Sequence, residues 1–128
     1  MKVKQLSIFL ENKSGSLQKV LGIIKKADVQ LIATTIADTT DYGIFRIICD
    51  APDRAYEALK ESGVTASLTD VFSISLDDIP GKAADVISYL TEGGVNISYL
   101  YSFLLDGKGV LIFKTDNTAK AEELIAAL

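Results

Sequence analysis

Histidine and tryptophan are absent from this 128-residue chain, and methionine and cysteine occur once each. Without histidine there can be no Ser-His-Asp triad, no Cys-His pair and no His-based metal site. The lone Cys49 has no partner for an internal disulfide and reads as a small buried residue rather than a nucleophile. Asp38, Asp41, Asp77 and Asp78 lack the spacing of a metal-binding loop; caps and turns account for them. There is no glycine-rich phosphate loop, so neither a metal nor a cofactor is expected. No apolar run approaches the roughly 18 residues of a membrane span, and Met1-Lys2-Val3-Lys4-Gln5 lacks the apolar stretch of a secretory signal. Basic residues are few and scattered: 13 against 17 acidic ones, with a net charge of −4 and a pI near 4.7. Lys25-Lys26 is the only adjacent pair. A phosphate-binding surface needs clustered Lys and Arg, so no nucleic acid and no membrane partner is expected, and the chain reads as cytoplasmic.

What the chain does have is a repeat. Leu6-Ser7-Ile8-Phe9-Leu10-Glu11-Asn12-Lys13-Ser14-Gly15 aligns with Phe72-Ser73-Ile74-Ser75-Leu76-Asp77-Asp78-Ile79-Pro80-Gly81, an offset of 66 positions. The same offset carries Val29-Gln30-Leu31 onto Val95-Asn96-Ile97, Gly43 onto Gly109 and Leu59 onto Ile125. Solenoid periods run to roughly 20–50 residues; a longer one marks a duplicated domain. Two units follow, residues 1–69 and 70–128. Domains this small bury only about 60% of their unfolded surface, so each unit should lean on the other, on a second chain, or on both.

Within the first unit, Val3 to Leu10 alternates as a strand with Leu6, Ile8 and Leu10 on one face. Asn12, Ser14 and Ser16 are all candidate caps for the helix that follows, which places Leu17, Val20, Leu21, Ile24 and Ala27 on one side. Val29–Ala37 is β-rich, Asp38–Gly43 a turn, Ile44–Cys49 a strand, and Asp50-Ala51-Pro52 opens a second helix ending at Ser62-Gly63. Val64 to Leu76 keeps one phase, so the last strand of unit one runs into the first of unit two without a linker. The second unit repeats the plan, but Leu128 corresponds to Ser62, so it lacks its last strand. Seven strands are accounted for. The fold class is α+β: two ferredoxin-like βαββαβ units in tandem, antiparallel sheets with the helices on one face.

The best-matched segments are the turns Glu11–Leu17 and Asp77–Ala83, each joining a strand to a helix. The first helical amides lack intrahelical partners, and a carboxylate beside them gains roughly 0.3–1 kcal/mol from the helix dipole. Glycine, without a Cβ, lets a ligand approach. Asn12 and Asp78 are positioned to accept from an ammonium group. Donors on one side and an acceptor on the other suit a free amino acid. Plain capping explains the same residues, and duplication copies structure as readily as function.

Glu11-Asn12-Lys13-Ser14-Gly15-Ser16-Leu17 and Asp77-Asp78-Ile79-Pro80-Gly81-Lys82-Ala83 resemble the Asp/Glu–Asx–x–Pro–Gly–x–Leu openings of ACT domains. The resemblance extends through Asp28–Leu31 and Gly94–Ile97 and spans nearly the whole chain as two ACT units. It departs at Ser14, where Pro is usual, at Ala83, where Leu is usual, and in the missing last strand. ACT domains are regulatory modules that bind small ligands, usually amino acids, at the interface between two such domains. The resemblance thus implies a non-catalytic amino-acid sensor, a likeness to homodimers, and a metabolic enzyme as partner. It implies a ligand site between the first turn of one unit and the second strand of another, with turn residues Asn12, Ser14, Gly15, Ser16 and Leu17 in the first unit and Asp78, Ile79, Pro80, Gly81, Lys82 and Ala83 in the second. Second-strand contacts are implied at Thr34, Thr35 and Ile36 and at Ser98, Tyr99, Leu100 and Tyr101.

Three readings compete for Tyr99, Tyr101 and Phe103: core packing behind Val95 and Ile97, contact with a ligand, or stacking on RNA bases. Two rival functions stay open, a ferredoxin-like enzyme of acylphosphatase type and an RNA-binding module. The first lacks an Arg in either turn, and the charge balance opposes the second. Ile44, Ile48, Val110 and Ile112 should face away from the helices, and a largely apolar second face calls for a cover, another unit or a second chain. The uncharged strand Val71–Leu76 should be paired by another segment.

Overall fold

The structure of the protein, a computed structural model, describes residues 1–38 and 41–128, the Asp38 side chain excepted. The turn expected at Asp38–Gly43 therefore falls partly outside the described residues. The elements run β1 (Lys2–Glu11), α1 (Ser16–Lys26), β2 (Leu31–Asp38), β3 (Tyr42–Cys49), α2 (Pro52–Glu61), β4 (Ala66–Asp77), α3 (Lys82–Glu92), β5 (Ile97–Leu105), β6 (Lys108–Thr115) and α4 (Thr118–Ala126). Six strands are described rather than seven, because the run from Val64 to Leu76 is taken up by the single strand β4. The chain divides into two compact units, Lys4–Thr69 and Met1–Val3 with Asp70–Leu128. The second unit thus recruits the first three residues, which the sequence division had placed with the first.

In the unit Lys4–Thr69, β3 pairs antiparallel with β1, Leu6 opposite Ile47 and Ile8 opposite Phe45, and with β2 on its other side. Residues on one strand face alternate with those on the other, so Leu6, Ile8, Phe45, Ile47 and Cys49 share the face that packs on α1 and α2. Val20, Ile24, Ala55 and Leu59 of the helices complete that core. Beside β1, the Phe9 N–H donates to the Thr65 carbonyl at 2.9 Å. Val64, Ala66 and Leu68 from this region pack partly buried against the core. At the far end Arg54 of α2 donates to the carbonyls of Ala27 and Asp28, tying the two helices together.

The other unit is built alike. β6 pairs antiparallel with β4, Phe72 opposite Phe113 and Ile74 opposite Leu111, and with β5. Phe72, Ile74 and Phe113 meet Val86 and Leu90 of α3 and Ala121 of α4. The hydroxyl of Tyr89 donates to the Leu124 carbonyl at 2.8 Å, so a tyrosine joins the helices where the first unit uses an arginine. The strand position that the sequence leaves unfilled is taken by the start of the chain. The Ser73 N–H donates to the Met1 carbonyl at 2.8 Å, and the Met1 nitrogen donates to the Ser73 carbonyl at 3.2 Å.

Both second strands are bulged at matching places. Leu31 lies opposite Cys49 but Ala33 opposite Ile48, and Ile97 opposite Thr115 but Tyr99 opposite Lys114. One extra residue in a strand turns every later side chain to the other face. Tyr99, Tyr101 and Phe103 therefore share the face of Ile112 and Val110, away from the helices, and not that of Ile97. Their expected packing behind Val95 and Ile97 is corrected on this ground. Ile48, Val110 and Ile112 are themselves buried in the single chain, so this face supplies no argument for a second copy.

Candidate functional site

The two turns are superimposable in their details. Gly15 and Gly81 each cap the following helix in the left-handed region, both with φ of 87°. Lys13 N–H donates to Glu11 O at 2.9 Å and Ser16 N–H to Lys13 O at 3.3 Å; Ile79 N–H donates to Asp77 O at 2.8 Å and Lys82 N–H to Ile79 O at 3.2 Å. The N-cap position itself is held by Gly15 in α1 and by Gly81 in α3, not by Asn12, Ser14 or Ser16, so the cap residue brings no side-chain hydrogen bond of its own. By contrast, Asn117 accepts from the Lys120 amide at the start of α4. The glycines are required for their backbone angle rather than for access, since a Cβ at Gly15 or Gly81 would meet nothing within 4 Å.

Each unit brings its own turn and its own second strand to one cleft. In the first, Asn12, Ser16 and Leu17 face Ile36 across a cavity of about 220 Å³. In the second, Asp78, Ile79, Lys82 and Ala83 face Ser102 across about 330 Å³. Ser14 and Gly15 border a separate cavity of about 350 Å³ in the first unit, between the start of α1 and Gly63–Thr65. Pro80 and Gly81 shape the second turn without lining its cleft. Thr35 and Tyr101 pair with Arg46 and Ile112, and Tyr99 with Lys114, so all three lie on the opposite sheet face from the clefts. Thr34 and Leu100 lie on the helix side, opposite Ile47 and Phe113, outside both cleft linings. Ser102 escaped the sequence reading. The repeat offset carries Ile36 onto it, but the bulge that sets its face has no signature in the pattern.

Electrostatics distinguish the clefts. At the mouth of the second, Lys108 donates to Asp77 at 2.9 Å across a β4–β6 pair. That hydrogen bond, with the lysine charge, holds the Asp77 carboxyl below the usual range. Asp78 enters no ion pair or side-chain hydrogen bond among the described residues, and Lys82 none beyond its attraction for Asp77. In the first unit Glu11 is engaged by Lys13 at 3.1 Å, and the positions of Asp78 and Lys82 are held by neutral Asn12 and Ser16. Cys49 sits in the helix-side core, and burial pushes its thiol up, so it stays protonated and unreactive at neutral pH. Among the described residues no three His, Cys, Asp or Glu side chains cluster as metal ligands, and no helix is long and apolar enough to cross a membrane.

A sequence model of the ACT domain pair matches residues 1–127. The chain belongs to this family. Protein BT0572 from Bacteroides thetaiotaomicron, a crystal structure, shares 41% identity over 99% of this chain and 88% of its own, with a TM-score of 0.94. The regulatory subunit of aspartate kinase from Thermus thermophilus, in its ligand-free form, has a TM-score of 0.66 at 17% identity over 97% of this chain and 91% of its own. The corresponding subunit from Thermus flavus has a TM-score of 0.62 at 16% identity over 99% and 94%. At such identities the two kinase subunits share the fold of this ACT domain pair. No curated protein sequence matches the chain.

Proposed function

We propose that this ACT pair is a non-catalytic regulatory protein that binds a free amino acid at its turn clefts and signals to a metabolic enzyme. The observation that carries the reading is the matched construction of the turns. Each sets a glycine-capped helix start beside a cleft that its own second strand lines. Amide donors and a nearby acceptor fit a molecule carrying both a carboxylate and an ammonium group. The family and the fold shared with kinase regulatory subunits agree with a regulatory role. Neither turn contains an arginine, which leaves an acylphosphatase-type enzyme without its anion clamp.

A homodimer is part of the proposal. β5 is an outer strand of its unit, and Leu100, Leu104 and Leu105 on it are 42%, 68% and 51% exposed. An uncharged edge with this much apolar surface is ordinarily covered. Sedimentation giving a stable monomer at micromolar concentration would remove this part alone. The ligand proposal is tested by a thermal-shift screen of the twenty amino acids. A ligand at 100 times its dissociation constant adds about 2.7 kcal/mol of stability; no shift with any of them rejects the reading.

A further inference from the structure

The two clefts differ at the positions that decide whether anything fits. In the first unit Leu17 and Ile36 stand on facing walls; the repeat places Ala83 and Ser102 there in the second. Removing that bulk accounts for the larger second cavity, about 330 Å³ against about 220 Å³. Small-molecule sites run from about 300 Å³ upward, so the first cleft falls short of that range and the second just enters it; the cavity of about 350 Å³ beside Ser14 and Gly15 is lined by no second-strand residue. The apolar lining of the second cleft is Leu76, Ile79, Leu104 and Leu111, of which Leu111 is buried and Ile79 and Leu104 are exposed. Its rim carries one anion and one cation, Asp78 and Lys82, which among the described residues enter no ion pair or side-chain hydrogen bond beyond the pull of Asp77 on Lys82. Asp77, also on the rim, is paired with Lys108 outside the lining.

We infer that the second cleft alone binds the ligand, and that the ligand is an α-amino acid with an apolar side chain. Its ammonium group faces Asp78, its carboxylate faces Lys82, and its side chain enters the space that Ala83 and Ser102 leave open. Leu17 and Ile36 stand at the matching places in the first unit and narrow that cleft. This rests on the amino-acid reading above and adds which unit binds and what class of side chain is accepted. Polar or charged side chains are disfavoured because, once Asp78 and Lys82 are engaged by the ligand's ammonium and carboxylate and Asp77 by Lys108, the lining offers Ser102 as its one hydroxyl beside apolar side chains.

Isothermal titration of the full chain with L-leucine, L-isoleucine, L-lysine and L-aspartate tests it, alongside Ser102→Ile and Asp78→Asn. Ser102→Ile installs the residue that the first unit already carries at the equivalent strand position, and Asp78 is exposed, so neither change touches the core. Circular dichroism checks folding of both. Expected are one site per chain for L-leucine or L-isoleucine, at least tenfold tighter than for L-lysine or L-aspartate, and at least a tenfold loss in each variant. Preference for a charged amino acid, two equal sites, or an affinity that Ser102→Ile leaves unchanged overturns the inference while the sensor reading stands. No heat and no thermal shift with any of the twenty amino acids overturns both.

Discussion

The two units share a plan and differ in how they are finished. The first closes its helix-side core with residues that follow α2: Val64, Ala66 and Leu68 pack against it. The second is completed instead by Met1–Val3. Its core is correspondingly smaller, and Ile125, the counterpart of fully buried Leu59, is only half-buried. Of the two clefts between a turn and a second strand, the one in the second unit is the larger, and its turn carries Asp78 and Lys82 where the first has Asn12 and Ser16.

The sharpest way to break this comparison is truncation of the paired positions. Leu59→Ala removes a fully buried side chain and should cost about 3 kcal/mol. Ile125→Ala, at the same place in the repeat, should cost only about 1 kcal/mol because its side chain is partly exposed. Chemical denaturation reads both, and equal losses would show that the second core is as tight as the first. Next in size, deleting Met1–Val3 removes the two backbone hydrogen bonds with Ser73 and the Lys2–Glu122 ion pair. The expected loss is about 1–2 kcal/mol at roughly 1 kcal/mol per hydrogen bond. Amide exchange should accelerate at Ser73 and remain slow at Phe9, which is held by Thr65.

Smaller again is the effect at the end of the first helix of each unit. Asp28 adopts φ of 58° where the repeat places Gly94 at 91°. Asp28→Gly should be close to neutral or stabilise by up to about 1 kcal/mol, and Gly94→Ala should destabilise by about 1 kcal/mol. The smallest effect is electrostatic. Because the Asp77 carboxyl is held below its ordinary value by Lys108, its contribution is present above the unfolded carboxylate value, about 3.9. It is lost as pH falls through the depressed folded value. The small melting difference between wild type and Asp77→Asn at neutral pH should therefore vanish in acid, and a difference that persists there would assign it to something other than the ion pair.

Much of this fold was legible because alternation and helical spacing are local. Leu6, Ile8 and Leu10, the face of Phe45 and Ile47, and the helix stripes at Val20 and Ile24 follow from the residues themselves. The faces of Tyr99 and Tyr101 did not follow, since one bulged residue after Ile97 inverts the phase without altering the composition. The cap position read as Asn12, Ser14 or Ser16 is held instead by Gly15, whose left-handed backbone makes the turn into α1. The recruitment of Met1 to Ser73 is a long-range pairing, visible in sequence only as a vacancy. Of the cleft, the turn residues were read from the repeat, while Ser102 needed the strand register.

The most direct test of the central claim is to map ligand binding by amide chemical shifts on the full chain, titrated with the amino acid that gives the largest thermal shift. The expected result is movement concentrated at Asp78–Ala83 and Ser102, saturating at one equivalent, with Asn12–Leu17 and Ile36 unmoved. Movement centred on Asn12–Leu17, or on Lys19 and Gly63–Thr65 beside the other first-unit cavity, would contradict it.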